Sequence, residues 1–305
     1  MRVLFISDFT LEQREGGAQL SNSLIIEEGK SRGFEIVEHH HSSSITDFLS
    51  SYDLVVNSNL DAISKISPQK FDIIKKLPNS VRLEHDACSY LTPALRKELF
   101  KNCKKTFFLT QYHHSFFKEL YGDYYNDPHI VYDPIDTSLF KKTSEDKKYD
   151  VVYCGFLHEL KGLRQLINFA SNNPKRHVDI FGWGDGETNL KDLFAAHKNI
   201  KFHGKRNHIE IAEIFQKCNA VFHSPLVNEP FCRMIGEALI CGVQEIIGDI
   251  SKIGAYLEFE KVGYNNFKEG CENAASIFWD KVILWNFYAE HTLNINVGLG
   301  SLTIK

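Results

Sequence analysis

Two different hydrophobic periods meet in the stretch AVFHSPLVNEPFCRMIGEALICG (220–242), and together they indicate one βα unit. Its first residues form a short apolar run that is typical of a buried strand, and from Pro230 onward apolar side chains recur at helical spacing. Proline is favoured in the first turn of a helix, and glycine just beyond its end. We therefore predict a strand, a loop, and a helix that starts near Pro230 and ends at Cys241-Gly242.

The same βα pattern continues on both sides of this stretch. Short runs rich in β-branched and aromatic residues alternate with longer segments of helical period, as in parallel sheets covered by helices. The predicted strands cover residues 2–7, 34–39, 53–58, 80–85, 105–110, 129–133, 149–155, 177–182, 200–204, 220–224 and 244–249. A polar segment at 137–149 divides this series. The pattern predicts an α/β protein of two doubly wound, Rossmann-like domains that face each other across a cleft.

This division gives the predicted domain limits. Residues 1–142 form an N-terminal Rossmann-like domain, residues 143–265 form a C-terminal one, and residues 266–305 form a helical segment. Ligands of such folds bind beyond the carboxyl ends of the strands. We therefore expect the functional residues in the loops that follow the strands.

Composition and charge limit the class of protein. A hydrophobic fraction of 43% and a charged fraction of 24% are typical of a soluble globular chain. The net charge of -4 does not favour general binding to nucleic acid, which requires basic surfaces. The apolar start of the chain reaches Asp8 early, and no apolar run approaches the ~20 residues of a membrane span, so we expect no signal peptide and no transmembrane helix. Seven cysteines without a C-x-x-C pair indicate a reduced, cytoplasmic chain.

Two carboxylates, Glu229 and Glu237, flank the start of the helix predicted near Pro230. The free N–H groups in the first turn of a helix carry the positive end of the helix dipole and bind phosphate. One carboxylate on each side of an anion site suits a ligand with hydroxyls on both sides of a phosphate group, such as a nucleotide sugar. The spacing alone leaves a second interpretation open, in which both glutamates are ordinary surface residues of an amphipathic helix.

The residues around these glutamates resemble the signature of the retaining glycosyltransferases of the GT-B fold, group 1. In that family a strand leads into E-x-F-G-x-x-x-x-E-A-x-A-x-G. The matching residues here are Glu229, Phe231, Glu237, Ala238 and Gly242. Cys232 stands in the position that is usually glycine.

Two segments of the first half resemble the same family. GGAQLSNSLIIEEGKSRG (16–33) is similar to its first βα turn, where Gly16 and Gly17 would let backbone N–H groups approach a phosphate or the acceptor. VRLEHDACSY (81–90) resembles the end of its fourth strand, where His85 would approach the transferred sugar. From the residues alone, a plain turn at the glycines and a structural role for His85 stay open.

Two further segments resemble the start of the family's second domain. VVYCGFLHELKG (151–162) is similar to its G-R-L-x-x-x-K-G motif, in which Lys161 would neutralise the donor diphosphate. Phe156 stands in the arginine position of that motif. IFGWGDGE (180–187) resembles the family's glycine-rich turn, with Leu190 as the packing residue that follows it.

The resemblance implies a hexosyltransferase that moves a hexose from a UDP- or GDP-sugar, with retention, to a glycan, lipid or protein acceptor. The first domain would lie on the acceptor side, the second would bind the nucleotide sugar, and the last segment would cross back to the first domain. The implied catalytic residues are Glu229, His85 and Lys161. The implied donor-binding residues are Gly16, Gly17, Lys161, Phe231, Cys232, Arg233, Met234 and Glu237.

We expect no cofactor and no metal requirement. Three consecutive histidines at 39–41 would alternate between the two faces of a strand and so do not predict a metal site. Two other functions stay open: a non-catalytic sugar-nucleotide-binding or scaffold protein of the same fold, and a sugar-nucleotide epimerase. The basic segment LRKELFKNCKK (95–105) is either a solvated helix face or a contact with anionic lipid headgroups at the inner face of a membrane.

Overall fold

The computed structural model describes residues 1–49, 51–86, 92–122, 124–143, 146–184 and 197–284. Three segments with sequence-based predictions lie outside these residues. They are the residues after His85 (87–91), the rest of the glycine-rich turn with Leu190 (185–196), and the last residues of the chain (285–305). In the described part, no helix is both long and apolar enough to cross a membrane.

The first half of the chain forms a six-stranded parallel sheet in the order β2-β1-β3-β4-β5-β6. Its strands are β1 Arg2–Ile6, β2 Glu35–His39, β3 Leu54–Asn57, β4 Ser80–Leu83, β5 Cys103–Phe108 and β6 Pro128–Ile130. The helices are α1 Gly17–Ser31, α2 Asp61–Ile66, α3 Pro68–Ile74, α4 Pro93–Asn102 and α5 Gln111–Tyr121, with a 3-10 turn at Ile45–Leu49. Because helices cover both faces, all residues of β3 and β4 are buried. The sequence of β3 is accordingly almost entirely apolar, whereas β4 also buries the polar side chains of Ser80 and Arg82.

The second half forms a five-stranded parallel sheet in the order β11-β10-β7-β8-β9. Its strands are β7 Tyr149–Phe156, β8 Val178–Trp183, β9 Ile200–Gly204, β10 Cys218–Phe222 and β11 Glu245–Ile247. The helices are α6 Leu163–Asn172, α7 His208–Gln216, α8 Arg233–Ile240 and α9 Gly254–Glu272, with 3-10 turns at Glu159–Lys161 and Ile250–Lys252. Each predicted strand overlaps an observed one, and the predicted α/β architecture of two doubly wound sheets is confirmed.

The helix that follows β10 begins later than its sequence predicts. Glu229 forms a parallel bridge with Ile253, and its amide and carbonyl bond to the same segment at 2.8 and 3.0 Å. These bonds hold Glu229 in the bridge, Pro230 and Phe231 form bends after it, and α8 starts only at Arg233, so the predicted start near Pro230 was wrong. The predicted end is confirmed, because Gly242 adopts a left-handed φ of 81° directly after the helix.

The last described residues pack on the first domain. Gly263 interrupts α9 with a φ of 77°, and residues 274–284 form a further helical stretch. The indole Nε1 of Trp279 donates to the backbone oxygen of Ile25 at 2.7 Å, and the Trp279 side chain is fully buried. Nearby, Arg32 Nη1 donates to Asp280 Oδ1 at 2.6 Å. These contacts join the end of the described chain to α1.

Candidate active site

Lys161 lies on the 3-10 turn after β7, and Gly162 brings this turn against the end of β10. Gly162 has a left-handed φ of 86°, and a Cβ at this position would lie 2.1 Å from the backbone oxygen of Ser224. Only glycine fits such a close backbone approach without strain. The loops that follow two neighbouring strands therefore meet at this point, beside Glu229.

Glu229 is the centre of this meeting point. Its Oε1 accepts hydrogen bonds from Lys161 Nζ at 2.9 Å and from His223 Nε2 at 3.0 Å. The side chain of Glu229 is 9% exposed, whereas that of Lys161 is 42% exposed and reaches the cleft. Burial alone would raise the pKa of Glu229, but His223 and Lys161 together hold this pKa well below its ordinary value. Glu229 is therefore a buried, ionised carboxylate held by two donors.

His223 was not predicted as a site residue. It follows β10 directly, its side chain is 5% exposed, and its Nδ1 has no hydrogen-bond partner among the described residues. The only signal in the sequence was a histidine at the carboxyl end of a strand, six residues before Glu229. Its position fixes one of the two hydrogen bonds on that carboxylate.

Cys232 is the residue before the first turn of α8 and has a left-handed conformation, with φ 70° and ψ 78°. This is the conformation that favours glycine, which agrees with the glycine at this position of the family signature. Its thiol lies near Glu229 and His223, since the metal-binding atoms of the three side chains lie within 4.8 Å of one another. Burial raises the pKa of the Cys232 thiol. The extra side chain therefore lies beside the central carboxylate.

Arg233 and Glu237 lie on one face of α8, at the contact between the two domains. Arg233 Nε donates to Glu237 Oε1 at 2.8 Å, and Arg233 Nη1 donates to the hydroxyl of Ser21 on α1 at 3.0 Å. His208 Nε2 lies 3.2 Å from the same Glu237 oxygen. Glu237 is therefore buried in a polar network, and Arg233 links it to the first domain.

The two predicted glycines form the start of α1. Gly16 is the residue before the helix, and Gly17 is its first residue. A Cβ on Gly17 would lie 3.7 Å from Cβ of Arg233, the first residue of α8. The N-termini of helices from both domains therefore converge here, and both present positive helix-dipole ends to the cleft.

His85 lies after β4, at the same end of the first sheet. It is 8% exposed. Its Nε2 lies 3.2 Å from Asn22 Oδ1, and its Nδ1 lies 3.6 Å from Asp133 Oδ1. Burial lowers the pKa of His85, so the neutral imidazole is favoured. Since Asn22 follows Ser21 on α1, the same helix contacts both His85 and Arg233.

Asp86 is a second residue that was not predicted. Its Oδ2 accepts a hydrogen bond from Asn59 Nδ2 at 3.1 Å. Burial, and then the charges of Glu84 and Asp61, raise the pKa of Asp86 to about 7. The charge of Asp86 also affects Lys161 in the second domain. Burial lowers the pKa of Lys161, but Glu229 and, to a lesser extent, Asp86 raise this pKa above its ordinary value. Asp86 is therefore a carboxyl of the first domain in the electrostatic field of the Lys161 amine.

Phe156, in the arginine position of the family motif, belongs to an aromatic cluster at the ends of β7 and β8. Its ring lies 6.0 Å from that of His158 in a stacked arrangement and 6.3 Å from that of Trp183 in an edge contact. Phe156 and Trp183 are each 36% exposed. This position therefore contributes exposed ring surface to the cleft edge, in place of a cation.

The sequence of the second half matches a known family over most of its length. Residues 134–268 match the family model described as glycosyl transferases group 1. This part of the chain is a group 1 glycosyltransferase domain. The matched range contains Lys161, Glu229, Arg233 and Glu237, whereas Gly16, Gly17 and His85 lie before it. A search of curated proteins by sequence gives no match to the chain.

Solved structures resemble the chain over nearly its whole length. HepE from Anabaena, in complex with UDP-glucose, has 18% identity and a TM-score of 0.64, covering 96% of this chain and 99% of its own. Sucrose-phosphate synthase from Thermosynechococcus elongatus has 11% identity and a TM-score of 0.66, covering 97% and 99%. WaaG, a glycosyltransferase involved in lipopolysaccharide biosynthesis, has 15% identity and a TM-score of 0.60, covering 95% and 94%. These likenesses confirm the predicted GT-B fold.

Proposed function

We propose that this chain is a retaining glycosyltransferase that moves a hexose from a nucleotide diphosphate sugar to a glycan, lipid or protein acceptor. The observation that carries the proposal is the pair formed by Lys161 and Glu229, 2.9 Å apart at the carboxyl edge of the second sheet. This pair lies within the group 1 domain and next to the converging N-termini of α1 and α8. A cation, a fixed carboxylate and two helix N-termini are suited to one ligand that carries both phosphate and sugar hydroxyls.

The donor diphosphate is bound, in this proposal, by Lys161 and by the backbone N–H groups of Arg233 and Met234 in the first turn of α8. The glycine turn of α1 approaches from the other domain. The ribose hydroxyls bind Glu237, whose carboxylate accepts further hydrogen bonds beside those from Arg233 and His208. The aromatic rings of Phe156 and Trp183 contribute apolar surface at the same cleft edge.

The hexose lies beside Glu229 in this arrangement. The bond between its anomeric carbon and the phosphate oxygen breaks, and a bond to the acceptor oxygen forms on the same face of the sugar. The departing phosphate oxygen takes the proton of the acceptor hydroxyl. Lys161 stabilises the negative charge that develops on the phosphate, and Glu229, fixed by His223, orients the sugar; each such interaction contributes about 3 kcal/mol to transition-state stabilisation. His85 contacts the transferred sugar from the first domain.

The similar structures favour uridine as the nucleoside of the donor. HepE is solved with UDP-glucose, and an α-glucosyltransferase with UDP and DNA also resembles the chain at 12% identity. A thermal-shift screen with UDP- and GDP-sugars tests this choice, because a ligand that binds only the native state raises the melting temperature. A shift with UDP-sugars alone supports the proposal, and a shift with GDP-sugars alone contradicts the uridine choice.

One observation favours a non-catalytic, sugar-nucleotide-binding protein as the second candidate. Phe156 removes a cation from the family motif, and Arg233 does not replace it, because its guanidinium is bound to Glu237 and Ser21. A donor-hydrolysis and transfer assay separates the two functions. Binding of the donor without any turnover favours the second candidate, and release of nucleoside diphosphate favours the transferase.

We also propose that the chain is cytoplasmic and makes peripheral contact with an anionic membrane. In α4, the apolar residues Leu99 and Phe100 are buried in the first domain, so they do not face a membrane. Lys97 and Lys101 are exposed on this helix. Membrane contact therefore rests on charge alone, and pelleting with vesicles that contain anionic lipid should fall as salt rises. Absence of pelleting at low salt contradicts it.

A further inference from the structure

Three side chains that commonly bind transition metals converge at the buried centre of the cleft. The ligand atoms of His223, Glu229 and Cys232 lie within 4.8 Å of one another, and His223 Nε2 lies 3.0 Å from Glu229 Oε1. Imidazole nitrogen, carboxylate oxygen and thiolate sulfur are the ligands of zinc sites in proteins. Ligands around a tetrahedral zinc ion are separated by about 3–4 Å, given bond lengths of about 2.0–2.3 Å. Small side-chain rotations are therefore enough to bring the three atoms onto one ion.

The backbone at Cys232 is a second and independent observation. A non-glycine residue in the left-handed region costs about 1–2 kcal/mol, and Cys232 has a φ of 70°. Such strain persists where the surrounding structure enforces it, and it concentrates at functional sites. Glycine would remove both the strain and the thiol. The chain instead places a thiol beside a histidine and an ionised carboxylate, at the entry to α8.

We propose that His223, Glu229 and Cys232 form a binding site for one divalent ion of the zinc class. His223 Nε2, a Glu229 oxygen and the Cys232 thiolate are its three protein ligands, and the fourth position opens toward the cleft. Binding replaces the hydrogen bonds that Lys161 Nζ and His223 Nε2 donate to Glu229. The imidazole proton of His223 then lies on Nδ1 instead of Nε2, and the thiol proton of Cys232 is released to solvent. No ligand changes oxidation state.

The ion would neutralise Glu229 and occupy the sugar end of the cleft. If the chain is a glycosyltransferase, metal and donor therefore compete for the same carboxylate, and the metal acts as an inhibitor. The binding itself does not depend on the proposed function, since it is measured in the absence of donor and acceptor. A catalytically inactive chain would bind the ion equally well.

Titration of the full-length, reduced chain with Co²⁺ tests the site directly. Thiolate ligation gives a charge-transfer band in the near ultraviolet, and tetrahedral Co²⁺ gives intense visible bands, neither of which is given by an ion bound only to surface carboxylates. We expect one equivalent of Co²⁺ with a single thiolate ligand, and displacement by stoichiometric Zn²⁺. Cys232→Gly should abolish the charge-transfer band, and His223→Gln should weaken Co²⁺ binding about tenfold or more.

Cys241→Ala is the matched control, because Cys241 is a buried cysteine at the opposite end of the same helix and outside the cluster. It should keep the wild-type spectrum and affinity. Circular dichroism and melting temperature establish that each variant is folded, and Cys232→Gly removes backbone strain rather than adding it. Absence of a charge-transfer band in the wild type, or its persistence in Cys232→Gly, overturns the proposal.

Discussion

Lys161 and Glu229 are 68 residues apart in the sequence, yet Lys161 Nζ lies 2.9 Å from Glu229 Oε1. The topology causes this contact. Strands β7 and β10 are neighbours in the second sheet, and parallel strands present their following loops at the same edge. Lys161 comes from the turn after β7 and Glu229 from the loop after β10. The fold itself therefore brings the two side chains together.

The contact between the two loops depends on Gly162. Alanine at this position would have to adopt a left-handed φ and would place its Cβ against the Ser224 oxygen. Gly204 is a matched control, with a φ of 74° and no atom within 4 Å of the added Cβ. We expect Gly204→Ala to cost about 1–2 kcal/mol in the free energy of unfolding, from backbone strain alone, and Gly162→Ala to cost clearly more. Urea denaturation measures both, and equal costs would contradict the close approach at Gly162.

The strained backbone at Cys232 predicts a stabilising substitution. Cys232→Gly relieves about 1–2 kcal/mol of left-handed strain and loses about 0.4–1 kcal/mol through the greater freedom of the unfolded chain. The net expectation is a gain of about 0.5–1 kcal/mol in the free energy of unfolding. Cys241→Gly is the control, since Cys241 has a helical φ of -68° and offers no strain to relieve. That variant should lose stability. A loss of the same size in both variants would contradict the prediction.

Asp86 predicts a pH dependence of stability. Its pKa of about 7 in the folded protein lies above the ordinary value of an aspartate, because burial, Glu84 and Asp61 disfavour the charge. The folded state therefore binds the proton more tightly, and this stabilisation is present at low pH and is lost as pH rises through about 7. Asp86→Asn cannot ionise, so its melting temperature relative to wild type should be higher at pH 8 than at pH 5.

Asp72→Asn is the control for this measurement. The hydrogen bond from Lys75 lowers the pKa of Asp72, so ionisation of this carboxylate favours the folded state. Its variant should gain nothing on going from pH 5 to pH 8. A pH-independent difference between Asp86→Asn and wild type would show that Asp86 is not a strained carboxyl.

The strands were predictable because buried strands appear in the sequence as short runs of apolar residues. A strand covered by helices on both faces is largely apolar along its length, and β3 and the inner part of β7 are of this kind. The start of α8 was not predictable in this way. Proline at 230 favours a helix start, but the bridge between Glu229 and Ile253, a contact between distant parts of the chain, overrides that preference.

Some residues of the candidate site were also predictable from the sequence, and others were not. Glu229, Lys161 and Arg233 were identified from a motif, and the structure brings them together with Gly17. Their roles in binding and transfer stay predictions. His223 and Asp86 carried no motif, because their importance comes from which side chains the two sheets place next to them. A histidine or an aspartate after a strand is common, and only the fold places these residues beside Glu229 and in the field of Lys161.

In the proposed function, the carboxylate of Glu229 serves glycosyl transfer. The most direct test is the turnover of Glu229→Gln with a UDP-hexose and a panel of acceptors, compared with wild type and with Glu159→Gln, which removes an exposed carboxylate two residues before Lys161. We predict that Glu229→Gln loses about tenfold or more in kcat while the chain stays folded, and that Glu159→Gln keeps wild-type turnover. Wild-type turnover in a folded Glu229→Gln variant would contradict the account.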